Sequence, residues 1–238
     1  MTSAADAIPP VVRLRFARGQ PAIWLAHLDL MRTFERSIRR AGLPVAYSKG
    51  YNPRPHLAFA LPIGTGLATR DDYVDVFLDE PVEPDELMNR LNPCLPSGLA
   101  ILAARTVSGI GPSLMSLIRA ADYRLQGPGL STAADQLLSL PADQPWLVEK
   151  EGKSGKSMVD IRPLFISLKP SGSDDLLIRV KAGSHENLRP DLFLKALASL
   201  AGLDPLAAAD TAITRERLLI KPDNRQDLQS PIPLPDES

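Results

Sequence analysis

Hydrophobic and polar positions alternate at the start of the chain, where Val11-Val12-Arg13-Leu14-Arg15-Phe16 predicts a strand with Arg13 and Arg15 on one face. After a turn at Gly19-Gln20-Pro21, the spacing becomes helical from about His27 to Ala41, and Gly42 closes the helix. On a helical wheel Leu30, Phe34, Ile38 and Ala41 share one face, with Met31 and His27 at its edges. Arg32, Arg36, Arg39 and Arg40 fall on the other side in an arc of about 100°, joined by Asp29. Short strands are expected at Val45–Tyr47, Leu57–Leu61 and Tyr73–Leu78, then a helix at Pro84–Leu91 and a strand at Ala100–Val107. The order is β-α-β-β-α-β, the ferredoxin-like arrangement.

The pattern restarts after Gly109-Ile110-Gly111-Pro112. Strands are expected at Ala121–Gln126 and Trp146–Lys150, a Ser/Thr-capped helix at Ser131–Leu140, and a hairpin from Ile161–Lys169 and Leu176–Lys181. A helix at Pro190–Leu200 and a strand at Ala212–Ile220 follow. The expected fold class is therefore α+β, as two tandem ferredoxin-like β-α-β-β-α-β units, at residues 11–108 and 118–221, with a fused single sheet as the alternative because periodicity does not determine strand pairing. The polar, proline-rich stretch 222–238 is expected to be a disordered tail.

Charge sharpens the picture. Between Val11 and Leu61 nine Lys/Arg face only two acids, Asp29 and Glu35, a local charge of +7. The whole chain is −1 and the first ten residues carry only Asp6, so everything from Pro62 onward sums to −7. Half of the twelve aromatic residues lie in the same basic segment, which is where a polyanion is expected to sit. The loop Tyr47-Ser48-Lys49-Gly50-Tyr51-Asn52-Pro53-Arg54-Pro55-His56 is stiffened by its prolines, and Gly50 widens the backbone choices there. Arg13, Arg15, Arg32, Arg36, Arg40, Lys49 and Arg54 are candidate phosphate contacts. Tyr51 and Asn52 are candidates to meet unpaired bases. The competing readings are a solvated amphipathic helix face, and a packed turn in which Tyr47 and Tyr51 fill the core.

His27, Asp29 and His56 are the candidate catalytic groups, since acid–base chemistry needs an imidazole or carboxylate near substrate. Each also has a plainer reading: a structural histidine on the helix edge, a carboxylate complementing the helix dipole, and a surface imidazole. A binding protein without catalysis of its own is the preferred expectation. One cysteine, Cys94, excludes an internal disulfide framework and a thiolate metal cluster held by this chain alone, and three scattered histidines give no zinc pattern. No metal site, phosphate loop or dinucleotide fingerprint is present in the sequence. No apolar run approaches the ~20 residues of a membrane span, and the start lacks signal-peptide character, so a cytoplasmic protein with no membrane or disulfide-linked partner is expected.

The segments Arg13–Phe16 and His27–Gly64 resemble the radical-SAM-linked proteins, a domain of unknown function encoded beside or fused behind radical SAM enzymes. Asp160-Ile161-Arg162-Pro163-Leu164, Arg189-Pro190-Asp191 and Ile213-Thr214-Arg215 extend the likeness over roughly residues 11 to 220. Two positions depart from the family pattern. Ala26 stands where a serine would cap the helix, and Arg54 and His56 replace a histidine followed by lysine, which favours charge over an obligatory imidazole. The resemblance implies a radical SAM protein as partner, with the iron–sulfur cluster and SAM bound there and no cofactor in this chain. The expected function is an accessory protein that binds RNA. The alternatives are an RNA-modifying or RNA-cleaving enzyme using Asp29, His27 or His56, and an adaptor whose basic patch docks an acidic protein.

Overall fold

The computed structural model describes residues 9–108, 111–152, 155–221 and 227–232. The fold is α+β, and the chain divides into two compact units, residues 1–118 with 220–238, and residues 119–219. Gly109 and Ile110, part of the expected linker, lie outside the described residues.

In the first unit the order is β1 (Val11–Arg18), α1 (His27–Arg40), β2 (Leu57–Phe59), β3 (Ala68–Phe77), α2 (Pro84–Leu91) and β4 (Leu99–Val107). Strand β1 is antiparallel to both β3 and β4, and β2 pairs antiparallel with β3, so the strands run β4-β1-β3-β2. Alternation along β1 sends Val12, Leu14 and Phe16 into the core with Leu30, Phe34 and Ile38 of α1 and Val74, Val76 and Leu78 from β3 and its end. The ring of Phe16 meets those of Phe34 and Phe59 edge-on at 5.0 and 6.1 Å, which locks the helix over the sheet. No side chain caps α1 at Ala26, where the Leu30 N–H simply returns to the Ala26 carbonyl. Its other end is closed by Arg90 of α2, whose guanidinium donates to the Ala41 and Gly42 carbonyls. Val45–Tyr47 forms isolated bridges to Leu78 and Pro55 rather than a strand.

The second unit comprises β5 (Ile118–Gln126, mostly within it), α4 (Leu130–Leu138), β6 (Leu147–Gly152), β7 (Gly155–Asp160), β8 (Phe165–Gly172), β9 (Asp175–Lys181), α5 (Pro190–Ala201), α6 (Pro205–Asp210) and β10 (Ala212–Ile220). A short helix, α3 (Leu114–Leu117), precedes it in the first unit. The strands run β10-β5-β9-β8. Two expectations are corrected here. The Trp146–Lys150 strand does not join this sheet: among the described residues β6 pairs only with β7, in a two-stranded ribbon. Strand β7 escapes periodicity because Gly155–Asp160 is exposed on both faces apart from half-buried Val159. Helix α4 is entered through Gly129 at φ +76 without a side-chain cap, and the Ser131 hydroxyl instead donates to the Gly172 carbonyl.

The motif Asp160-Ile161-Arg162 fastens the ribbon. One Asp160 oxygen accepts the Trp146 and Arg162 backbone N–H groups at 2.9 and 3.0 Å. The Arg162 guanidinium lies 5.2 Å over the buried Trp146 ring and donates to the Pro141 and Gln144 carbonyls. Within the expected tail, Gln229 exchanges two backbone hydrogen bonds with Ile220, and Ile232 is buried. Those residues are ordered, while 222–226 and 233–238 lie outside the described residues.

Candidate nucleic-acid interface

Cross-strand acids decide the fate of the arginines on β1. Arg13 stands opposite Asp75 of β3 and donates two N–H groups to its carboxylate at 2.7 and 2.9 Å. Arg15 is buried and pairs with buried Asp71 at 2.6 Å, and Asp71 also accepts the Tyr73 hydroxyl. Burial first, and then the charge of Asp71, holds the Tyr73 phenol far above its ordinary value, so it stays a donor to that carboxylate. Both arginines are thus committed to holding β1 against β3, and the expected phosphate role does not fit their placement. The signal was present in Asp71, Asp72 and Asp75. Asp71 and Asp75, four residues apart, lie on a strand neighbouring the basic one.

The face of α1 divides. Arg32 reaches Asp29 at 3.5 Å, with both side chains more than half exposed, and Arg39 lies 3.8 Å from Glu35. The exposed Arg32–Asp29 pair is worth little and Arg32 remains accessible, whereas Glu35 of the second pair is buried. Arg36 and Arg40 take part in no ion pair among the described residues. They point towards Pro96 and Ser97, where Arg40 donates to the Cys94 carbonyl and Arg36 to the Thr33 hydroxyl at 3.4 Å.

The loop between α1 and β2 is the most open element of the set. Its base is pinned where Tyr47 bridges Pro55, the Ser48 N–H reaches the Arg54 carbonyl at 2.9 Å, and the Arg54 N–H reaches the Ser48 hydroxyl at 3.1 Å. Its tip projects: Lys49, Asn52 and Arg54 are exposed and Tyr51 is 100% exposed. The packed-turn alternative does not hold, since Tyr51 touches no core and Tyr47 is 46% exposed. Neither Lys49 nor Arg54 has an acidic partner among the described residues.

The three catalytic candidates lie in different settings. The His27 ring stands edge-on to Phe59 at 5.6 Å, while that of His56 stacks flat on Phe77 at 3.8 Å. Asp29 sits in the first turn of α1 beside Arg32. No group of three or more His, Cys, Asp or Glu among the described residues is placed to hold a metal. Residues that the periodicity did not single out carry much of the structure, above all Arg18. It is buried at the end of β1 and donates to the carbonyls of Leu25, Gly64 and Leu67 at 2.5 to 3.2 Å.

Residues 12–190 match the model of a family described as "Uncharacterized protein conserved in bacteria (DUF2344)". The chain belongs to this family. The family match covers all of the candidate interface and continues to the first residue of α5. No curated protein matches the chain. Among solved structures, an unknown protein from Galdieria sulphuraria is 13% identical over 94% of this chain and 99% of its own, with a TM-score of 0.26. A protein described as "putative dyp-type peroxidase" from Shewanella oneidensis is 10% identical over 88% of this chain and 91% of its own, with a TM-score of 0.23. Among the described residues no helix is long and apolar enough to cross a membrane.

Proposed function

We propose that this protein is a cytoplasmic accessory factor that binds unpaired RNA through the Tyr47–Pro55 loop and the arginine-bearing face of α1, and that it serves a separate radical SAM enzyme. One observation carries the RNA reading. A fully exposed tyrosine sits at the tip of a pinned loop, between a lysine and an arginine that lack acidic partners. An aromatic ring held in water between two cations suits an unpaired base, which stacks on the ring while flanking phosphates meet the charges. The chain is acidic outside this segment, so the attraction is local and salt-sensitive. The partner follows from the sequence resemblance, and a single cysteine leaves the cluster and SAM to another polypeptide. We read each unit as ferredoxin-like, with the β6–β7 ribbon inserted in the second.

Anisotropy titration with a short single-stranded RNA tests this. Five exposed cations (Arg32, Arg36, Arg40, Lys49 and Arg54) limit the slope of log K against log salt to about −3.5, at roughly 0.7 per phosphate contact. Tyr51→Ala is expected to weaken binding by ~1–3 kcal/mol, whereas Tyr51→Phe keeps the ring and the affinity. Absence of binding at about 50 mM salt, or binding indifferent to Tyr51→Ala, overturns the RNA reading. The partner is tested by affinity capture from nuclease-treated lysate. Recovery of no protein with a cysteine-rich cluster motif counts against it.

A further inference from the structure

Helix α1, the turn at Ala22–Trp24 and the loop before β4 enclose a cleft of about 520 Å³. Arg36 and Arg40 line it together with Pro21, Leu25, Pro96 and Ser97. We infer that this cleft binds a nucleoside monophosphate group, either as a free nucleotide or as the 5′-phosphate end of an RNA. The inference goes beyond the RNA reading: it shares Arg36 and Arg40 with that reading, but the Tyr51 loop does not line the cleft.

Charge supplies the first argument. Arg36 and Arg40 stand one helical turn apart, so both guanidinium groups reach the same space. Arg32 and Arg39 on the same helix each have a carboxylate, yet neither cleft arginine has one among the described residues. Each spends one N–H on a neutral oxygen of the protein and keeps the rest of its planar fork for an anion. Two such forks match the oxygens of a phosphomonoester.

The remaining lining argues for more than inorganic phosphate. The volume falls in the range of small-ligand pockets, and the proline and leucine wall offers apolar contact to a flat body. The Thr33 and Ser37 hydroxyls, also on the wall, donate their hydrogens to the Asp29 and Cys94 carbonyls at 2.7 and 2.9 Å. They can therefore only accept from a ligand, which calls for hydroxyl or amino donors such as ribose or a base provides. The wall is also fixed. Gly98 has φ +86, and a methyl there would lie 2.8 Å from the Gln20 and Gly19 carbonyl oxygens and 2.9 Å from the Ala22 nitrogen. The Gly19 N–H bonds the Gly98 carbonyl at 2.8 Å, so the two loops beside the cleft are held backbone to backbone.

Calorimetry on the full chain with AMP, adenosine and inorganic phosphate decides the matter. AMP is expected to bind at least about tenfold more tightly than either fragment, and to lose about tenfold or more in the Arg36→Gln/Arg40→Gln variant. Both side chains are exposed, so that variant should keep the wild-type unfolding midpoint. Amide shifts on AMP addition should cluster at Thr33, Ser37 and Ser97. AMP binding no better than phosphate, or unchanged in the double variant, overturns the inference. Competition by 5′-phosphorylated against 5′-hydroxyl RNA separates the two sources of the phosphate. Tyr51→Ala should leave AMP binding intact, so failure here and failure of the RNA reading give different patterns.

Discussion

Replacing Arg18 by methionine keeps an apolar stem of similar reach and removes the guanidinium that ties β1 to two loops. At least four N–H donations to three carbonyls disappear, those of Leu25, Gly64 and Leu67. Hydrogen bonds to a charged partner contribute ~1.5–3 kcal/mol each, so three acceptors at the lower end sum to ~4–5 kcal/mol. Gly64 is exposed and its carbonyl can rebind water, which trims the loss to roughly 3–4 kcal/mol. Against a typical stability of ~5–15 kcal/mol this is a large fraction, and it shifts a urea midpoint by roughly 1–2 M. Amide exchange of Val11–Arg18, followed by mass spectrometry alongside the urea titration, reads the effect where it arises. Arg18→Lys should recover only part of it, because an ammonium cannot span three carbonyls with a planar fork. Exchange protection of β1 within ~0.5 kcal/mol of wild type in Arg18→Met, or full rescue by lysine, refutes the reasoning.

Tyr73 makes stability depend on alkaline pH. Its folded value lies above the ordinary phenol value, so its contribution is complete below about pH 10 and declines as the unfolded chain ionises above that. Midpoints measured from pH 9 to 11 should fall less steeply in Tyr73→Phe, and an equal slope in both proteins counts against this. Gly98→Ala is expected to destabilise by ~2–4 kcal/mol, since it adds a methyl against three backbone atoms at a positive φ. A melting temperature unchanged by that substitution would show that the wall gives way. Asp160→Ala strips the shared acceptor from the Trp146 and Arg162 N–H groups, and should raise the fluorescence accessibility of Trp146 to acrylamide quenching while leaving quenching of Trp24 as it was.

Elements with strong periodicity were legible in the sequence. The apolar stripe of α1, the alternation of β1 and the proline-started α2 appear where the pattern puts them, because burial on one face writes itself into spacing. Of the two-stranded ribbon the β6 strand was legible at Trp146–Lys150, but β7 was not, since nearly all of its side chains face water and no face imposes a pattern. Charge was harder still. The count of basic residues made Arg13, Arg15, Arg36 and Lys49 look alike, and only strand register shows that the first two meet acids fifty or more residues away. The sequence marks Tyr51 as a candidate base contact, but its freedom from the core depends on how the loop is pinned, which local composition does not encode.

The return of residues 227–232 to the first unit has a consequence for biosynthesis. Gln229 zips to Ile220, and Ile232 is buried. A ribosome therefore delivers the last pieces of the first unit only after the whole second unit has been made. Until then the nascent first unit lacks part of its cover, and a message cut short just after β10 leaves its damage in the half of the protein that was translated first.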